Sequence, residues 1–434
     1  MLTAGAVVSG GLLLTLVFAR LGQGRLASTD GEGVKFRGIN ALRALAALGV
    51  LASHVMATSP LTGLPHLLVE NMASGVALFF VISGFLLFRP FAVSLGDRSR
   101  VSIRRFALNR ALRILPLYLL AVAVVFIATF PHSSQPFLRL ARALTFTGVY
   151  ANDDLVPVAW SLDDEAAYYV LLPVLYLVLM AWPRPHQRLA LGVGLISVLS
   201  VVSMVVLAAN PPRDGFAAGP VPMFHLYGFG MLLASLHARM PAYNLSPRVL
   251  AAGVACLAGA LAASGLAYDH HVWAFDPLCG LAFFSLVGVV SFAAPAGRLT
   301  TAISWRPLVH LGDVSYGVYL WHEPLHHVLA NVGVLSGAYW LALLELAVVT
   351  VALASGTYYL VEKPALRLKG RWVASAPASV VSKPAVGALV LVRPGQETRS
   401  PARARALVRA DDQTLRDLQA HQEHGDRQRG GQQT

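Results

Sequence analysis

The residues best placed for chemistry are an arginine and a histidine inside an apolar run. The stretch Asn40-Ala-Leu-Arg43-Ala-Leu-Ala-Ala-Leu-Gly-Val-Leu-Ala-Ser-His54 separates Arg43 from His54 by eleven residues. At about 100° per residue this is close to three helical turns, so both side chains project from one face, roughly 16 Å apart along the axis. An ionisable group in such a run is costly unless it has a task. An imidazole can act as general base near neutral pH, and a guanidinium offers forked donors to a phosphate. The plainer readings are an arginine that snorkels to a membrane edge and a histidine at an interface.

Further candidates fall into four groups. Residues 98–113 hold six arginines before Ile114-Leu-Pro116, and most read as charge flanking a span. Arg110 and Arg113 lie three apart, hence on one helix face at the point of membrane entry, where they could clamp a phosphate. The segment Trp160-Ser-Leu-Asp-Asp-Glu165 opens another apolar run. Its acids suit a helix N-terminus, although Glu165 near His54 could orient the imidazole. Ser83-Gly84 is a small pair among aromatics, suited to close helix packing or close approach of a ligand. Tyr316, Tyr319 and His322 recur every three residues and could line one face of a cavity; Glu345 has no evident role.

The elements that must position these groups are membrane helices. Of the 434 residues, 56% are hydrophobic and 13% charged, with a mean hydropathy of +0.60. A soluble domain carries about 25% charged residues. About eleven runs approach the roughly 20 residues needed to span a bilayer: 3–19, 39–58, 74–91, 113–130, 165–182, 189–208, 220–237, 249–267, 273–293, 307–330 and 338–361. The first is expected to be a retained span and not a signal peptide, since Arg20, which follows it, is the first basic residue. With alternating sides, all of the 34 Lys and Arg except Arg139, Arg142 and Arg213 fall on one side. This places the amino terminus outside and the carboxyl terminus in the cytoplasm. The same distribution explains the net charge of +12 without nucleic acid. Cys256 and Cys279 fit no metal or redox spacing and are expected to be buried free thiols. The expected fold is an all-α polytopic transmembrane helix bundle: residues 1–36 an additional span with its linker, 37–370 the functional bundle, and 371–434 a disordered basic cytoplasmic tail.

Six stretches, in order, resemble the acyltransferase-3 family: Arg43 with His54; Phe79-Phe80-Val-Ile-Ser83-Gly84-Phe85; Arg110-Ala-Leu-Arg113-Ile-Leu-Pro116; Trp160-Ser161-Leu162 with Glu165; Ser315-Tyr316-Gly-Val-Tyr319-Leu-Trp-His322-Glu-Pro324; and Val361-Glu362-Lys363-Pro364. The resemblance covers about residues 37–369. It implies a ten-span core and a stand-alone bacterial O-acyltransferase in the plasma membrane. The family moves an acyl group, commonly acetyl from acetyl-CoA, to a hydroxyl of a cell-envelope glycan or a secondary metabolite. Acyl-CoA is then a co-substrate, and neither a permanently bound cofactor nor a metal is expected. The implied roles are His54 as general base, Glu165 as its support, and Arg43, Arg110 and Arg113 as ligands of the CoA phosphates. Ser83, Trp160, Tyr316, Tyr319 and His322 are expected around the substrate cavity. Relatives often carry a second carboxylate after the first; here that position is Ala166. The alternative from a different class is a proton-coupled transporter, because intramembrane Arg, His and Glu also build relays.

Overall fold

The computed structural model describes residues 37–374 apart from 98–99, 152, 210–218, nearly all of 241–271, and 293–304. Among the described residues the secondary structure is helical, with no strand. The expected span 3–19 and the tail beyond Ala374 lie outside the described residues, as does almost all of 249–267 and Cys256. Cys279 is a buried, unbridged thiol.

The helices that build the site are α1 (Arg37–Val55), α2 (Gly63–Glu70), α3 (Gly75–Asp97), α4 (Ile103–Thr129), α5 (Pro136–Thr145), α6 (Trp160–Met180), α7 (Arg188–Ala209), α8 (Pro220–Arg239), α9 (Val272–Ser291), α10 (Arg306–Asp313), α11 (Ser315–Asn331), α12 (Tyr339–Thr357) and α13 (Lys363–Ala374). Among the described residues five helical segments are long and apolar enough to cross a membrane: Gly38–Val55, Gly63–Asp97, Ile103–His132, Pro185–Ala209 and Tyr339–Leu368. Two of the eleven expected spans, 3–19 and 249–267, lie outside the described residues or almost entirely so. Helices also occupy 160–180, 220–239 and 272–291; α6 opens with Asp163, Asp164 and Glu165, which lowers its apolar character.

The expected single span 307–330 is two helices. Val314 breaks it with φ −92° and ψ 2°. Tertiary bonding explains the break: the Asp313 carboxylate accepts from Asn40 Nδ2 (3.0 Å), and the Ser315 hydroxyl donates to the Gly312 carbonyl (2.8 Å). A continuous apolar pattern could not announce a stop made by a partner 273 residues away.

The surface is apolar where a soluble bundle would be polar. Ile127, Val170, Val205 and Leu360 are 62–76% exposed on four different segments, as suits helices whose outward solvent is lipid. With little hydrophobic drive between helices in lipid, close backbone contact becomes the main source of association. The tightest contact joins α3 to α8 through Gly84 and Gly230. A Cβ on Gly84 would run into the Tyr227 carbonyl oxygen, and one on Gly230 into the Val81 carbonyl oxygen. The small residue of the Ser83-Gly84 pair therefore serves packing at Gly84. Here the opposing atoms are backbone and cannot rotate away. Gly84→Val should therefore lower thermal stability by about 1–3 kcal/mol or abolish folding, measured by melting in detergent. Gly194→Ala, whose added Cβ meets nothing within 4 Å, should leave the melting temperature unchanged. Equal melting of both variants would contradict this account of the α3–α8 contact.

Candidate active site

Helix α1 carries Arg43 and His54 to two neighbouring cavities. The first, about 120 Å³, is lined by Arg43, Arg110, Arg113, Ser83, Glu165 and Tyr316, among others. The second, about 420 Å³, is lined by His54, Glu70, Trp160 and Asp276, among others. Val76, Phe80 and Tyr319 line both, so these three side chains form the partition.

In the arginine cavity the cations are not equivalent. Arg113 is committed to the protein: its Nη1 lies 3.4 Å from Glu362 Oε2, and its Nη2 donates to the Asp313 carbonyl (3.4 Å). Glu362 is fully buried and sits in a π-helical turn, Tyr358–Glu362, which aims it inward at the arginine. Sequence reasoning quoted Glu362 in a motif without giving it a role. The signal that would have found it is the rule that an intramembrane arginine requires an intramembrane carboxylate. Arg110, by contrast, has a buried Nε without a hydrogen-bond partner among the described residues. Arg43 lies within electrostatic reach of Arg113, Asp313, Glu165 and Glu362.

Glu165 stands on the arginine side of the partition. The Ser83 hydroxyl donates to its Oε1 (3.0 Å), and the Tyr169 hydroxyl lies beside it. The structure thus places Glu165 against Ser83 rather than beside His54. At the partition, Tyr319 Oη donates to the Val158 carbonyl (3.0 Å) and shares a 2.8 Å hydrogen bond with Ser161 Oγ. Tyr316 Oη donates to the Ile114 carbonyl (3.1 Å).

The partner of His54 is His322. His54 Nδ1 lies 2.7 Å from His322 Nε2, and the ring planes are only 12° apart with centroids 4.9 Å apart, the geometry of an in-line bond between ring edges. His322 was expected to line the cavity; it is instead fully buried behind His54. Its Nδ1 lies 2.6 Å from the Tyr319 carbonyl oxygen. That oxygen can only accept, so Nδ1 carries the proton, and in a neutral ring Nε2 is then the acceptor. His54 must therefore donate from Nδ1, which leaves the lone pair on its Nε2. His54 is partly exposed and lines the larger cavity. Two rings in series thus transmit a backbone constraint to a free basic nitrogen. Further along α11, His326 Nε2 bonds to Thr58 Oγ1 (2.9 Å). No pattern in sequence links His54 to a residue 268 positions away; only the three-residue recurrence on α11 pointed towards this face.

Two loops support the site. Arg139 and Arg142 both pair with Asp153 at 2.9 Å, and the Asp163 carboxylate accepts from Val149 N–H (3.1 Å). Burial and the nearby Asp163 push the Asp154 carboxyl up to about 7. Glu345 accepts from the Ser336 backbone N–H (2.9 Å) and hydroxyl (2.8 Å), so this otherwise unassigned carboxylate closes the turn before α12.

The site admits a test of which arginine is free. Arg113→Ala would strand Glu362 in the interior, and removing one partner of a buried pair typically costs about 3–5 kcal/mol. Arg110→Ala breaks no described ion pair. The expected outcome is a lowered melting temperature for Arg113→Ala, rescued in part by adding Glu362→Gln, and a near-normal one for Arg110→Ala. Equal melting of the two single variants would contradict the assignment.

Comparison with known proteins agrees with the motif order. A family model for the acyltransferase-3 family, described as an acyltransferase domain, matches residues 36–360. The peptidoglycan O-acetyltransferase OatA of Listeria monocytogenes is 25% identical over 356 residues, covering 75% of this chain and 55% of its own length. The putative peptidoglycan O-acetyltransferase YrhL of Bacillus subtilis is 26% identical, covering 77% of this chain and 55% of its own length. Nodulation protein 10 of Rhizobium leguminosarum is 27% identical, with 77% of this chain and 94% of that protein covered. The chain thus spans about half the length of the two peptidoglycan enzymes. No solved structure matches. A model match over three quarters of the sequence, with the same residues gathered around two adjoining cavities, makes this chain a member of the acyltransferase-3 family.

Proposed function

We propose that the protein is an integral membrane O-acyltransferase that moves an acyl group, acetyl in the first instance, from acyl-CoA to a hydroxyl of a cell-envelope glycan. The observation that carries the reading is the pair of cavities sharing Val76, Phe80 and Tyr319, with arginines in one and His54 in the other. Such an arrangement suits two substrates that arrive from opposite faces and react at the partition. The names of the relatives point to O-acetyl transfer and to polysaccharide. The sided distribution of Lys and Arg supports a cytoplasmic arginine cavity, on the side where acyl-CoA is made.

In this reading the CoA phosphates lie against Arg110, the arginine least committed to the protein, with Arg43 and Arg113 adding field. The thioester reaches the partition. The acceptor hydroxyl gives its proton to His54 Nε2 as its oxygen attacks the thioester carbonyl carbon. The attack leaves a tetrahedral oxyanion at the thioester carbon. Collapse breaks the C–S bond, and His54 Nε2 returns its proton to the departing thiolate, leaving ester and free CoA. A hydroxyl is a poor nucleophile at neutral pH, and a positioned base contributes about 10²- to 10⁴-fold.

The experiment is acetyl transfer by purified protein in nanodiscs, read as thiol release from acetyl-CoA and as one acetyl mass gained by soluble chito-oligosaccharides. His54→Ala should lower kcat by about 10² or more with little change in the KM for acetyl-CoA. His322→Ala should also act on kcat, because it frees the His54 tautomer, and His322→Gln should recover part, since an amide can donate to the Tyr319 carbonyl and accept from His54. Arg110→Ala should weaken acetyl-CoA binding about tenfold or more, as loss of a charged hydrogen bond does, and wild-type binding should weaken with salt. Transfer that survives His54→Ala above about a tenth of wild type, far above the loss expected for a removed base, would place the base elsewhere.

A further inference from the structure

The two cavities carry opposite charge. Three arginines face one carboxylate in the first. In the second, the described lining holds two carboxylates, Glu70 and Asp276, and no Lys or Arg. Glu70 stands beside exposed His66, with His66 Nε2 3.2 Å from its Oε2, which puts it at the rim. Asp276 is different. It is part-buried and lines the cavity. No described residue hydrogen-bonds to it or forms an ion pair with it. Nor does the helix terminus explain it, because α9 has no acid in its first turn and Asp276 lies beyond that turn. A carboxyl in an apolar bundle is costly unless it meets donors, and on its accessible side those donors come from whatever fills the cavity.

The same cavity holds Trp160, which meets Phe80 edge to face with centroids 6.3 Å apart, and His54. A carboxylate accepts hydrogen bonds from two hydroxyls at once, while an indole packs the apolar face of a ring and keeps one polar edge. A second carboxylate at the mouth, with no Lys or Arg in the described lining, makes the cavity unfavourable to an anion. We propose that Asp276 and Trp160 form the acceptor subsite and that, with Glu70, they select neutral, hydroxyl-rich saccharides and reject those carrying carboxylates. The inference rests on the reading of His54 as the base that meets the acceptor. The charge difference between cavities sorts the two substrates: the polyanionic donor is held where the arginines are and repelled where the acids are.

The test measures binding, so that it does not depend on catalysis. Full-length protein in nanodiscs is titrated with chitotetraose and with tetragalacturonate, oligosaccharides of similar length that differ in charge, by tryptophan fluorescence and by calorimetry. Wild type should bind the neutral oligosaccharide at least tenfold more tightly. Asp276→Leu should weaken that binding about tenfold or more. Asp276→Asn, which keeps hydrogen bonding and removes charge, should weaken it less and narrow the gap between the two ligands. Melting temperature and acetyl-CoA affinity, read on each variant, should stay at wild-type values. Equal binding of the two oligosaccharides, no binding of the neutral one, or unchanged binding in a folded Asp276→Leu variant overturns the proposal. Thiol release that proves independent of His54 is a separate result, and it sinks the reading of the base and not that of the subsite.

Discussion

The hydrogen bond from His322 Nδ1 to the Tyr319 carbonyl, 2.6 Å long, is the constraint on which the site depends. It lies within one turn of α11, so its geometry is set by the helix itself and not by a mobile side chain. Because a carbonyl cannot donate, the bond dictates one tautomer of His322, which dictates one tautomer of His54 through the 2.7 Å contact. The same turn carries Tyr319 into the partition between the cavities. One helix thus sets both the direction of the basic lone pair and part of the wall shared by the two cavities. The position of α11 depends in turn on the break at Val314, where Asn40 of α1 holds Asp313. The helix that bears His54 therefore also fixes the start of the helix that bears His322.

A second constraint is electrostatic. Charges in a lipid-surrounded bundle must be paired or facing water, and the described residues follow that rule unevenly. Arg113 is paired with Glu362, and Asp313 with Asn40. Arg110 Nε and Asp276 have no such partner among the described residues, and each stands at a different cavity. In the proposed function these two groups meet the two substrates, an anion on one side and a hydroxyl-rich molecule on the other.

Much of this was legible in sequence. The three-turn spacing of Arg43 and His54, the Arg110–Arg113 step and the recurrence of Tyr316, Tyr319 and His322 follow from helical periodicity alone, and each lands at or beside the site. Hydropathy found every long helix among the described residues, five of which meet the length and composition of a span, but it could not weigh a helix such as α6 that carries acids into the bundle. Contacts between distant segments were out of reach. His322 looked like cavity lining and is the buried neighbour of His54. Glu165, read as the support of His54, bonds to Ser83 across the partition. Glu362 stood in a quoted stretch without a role, and Asp276 had no local pattern to mark it. In each case the missing information was which helix lies opposite, and helical periodicity does not carry it.

The account stands most directly on the tautomer of His54. Nitrogen NMR of protein in nanodiscs, with histidine labelled at both ring nitrogens and the His54 and His322 signals assigned from His54→Gln and His322→Gln samples, reads it at neutral pH. The prediction is a protonated Nδ1 and a bare Nε2 on both rings, with His54 becoming a mixture of tautomers in His322→Ala. A His54 protonated at Nε2 in the wild-type protein would contradict the account, since the nitrogen facing the cavity could then accept no proton.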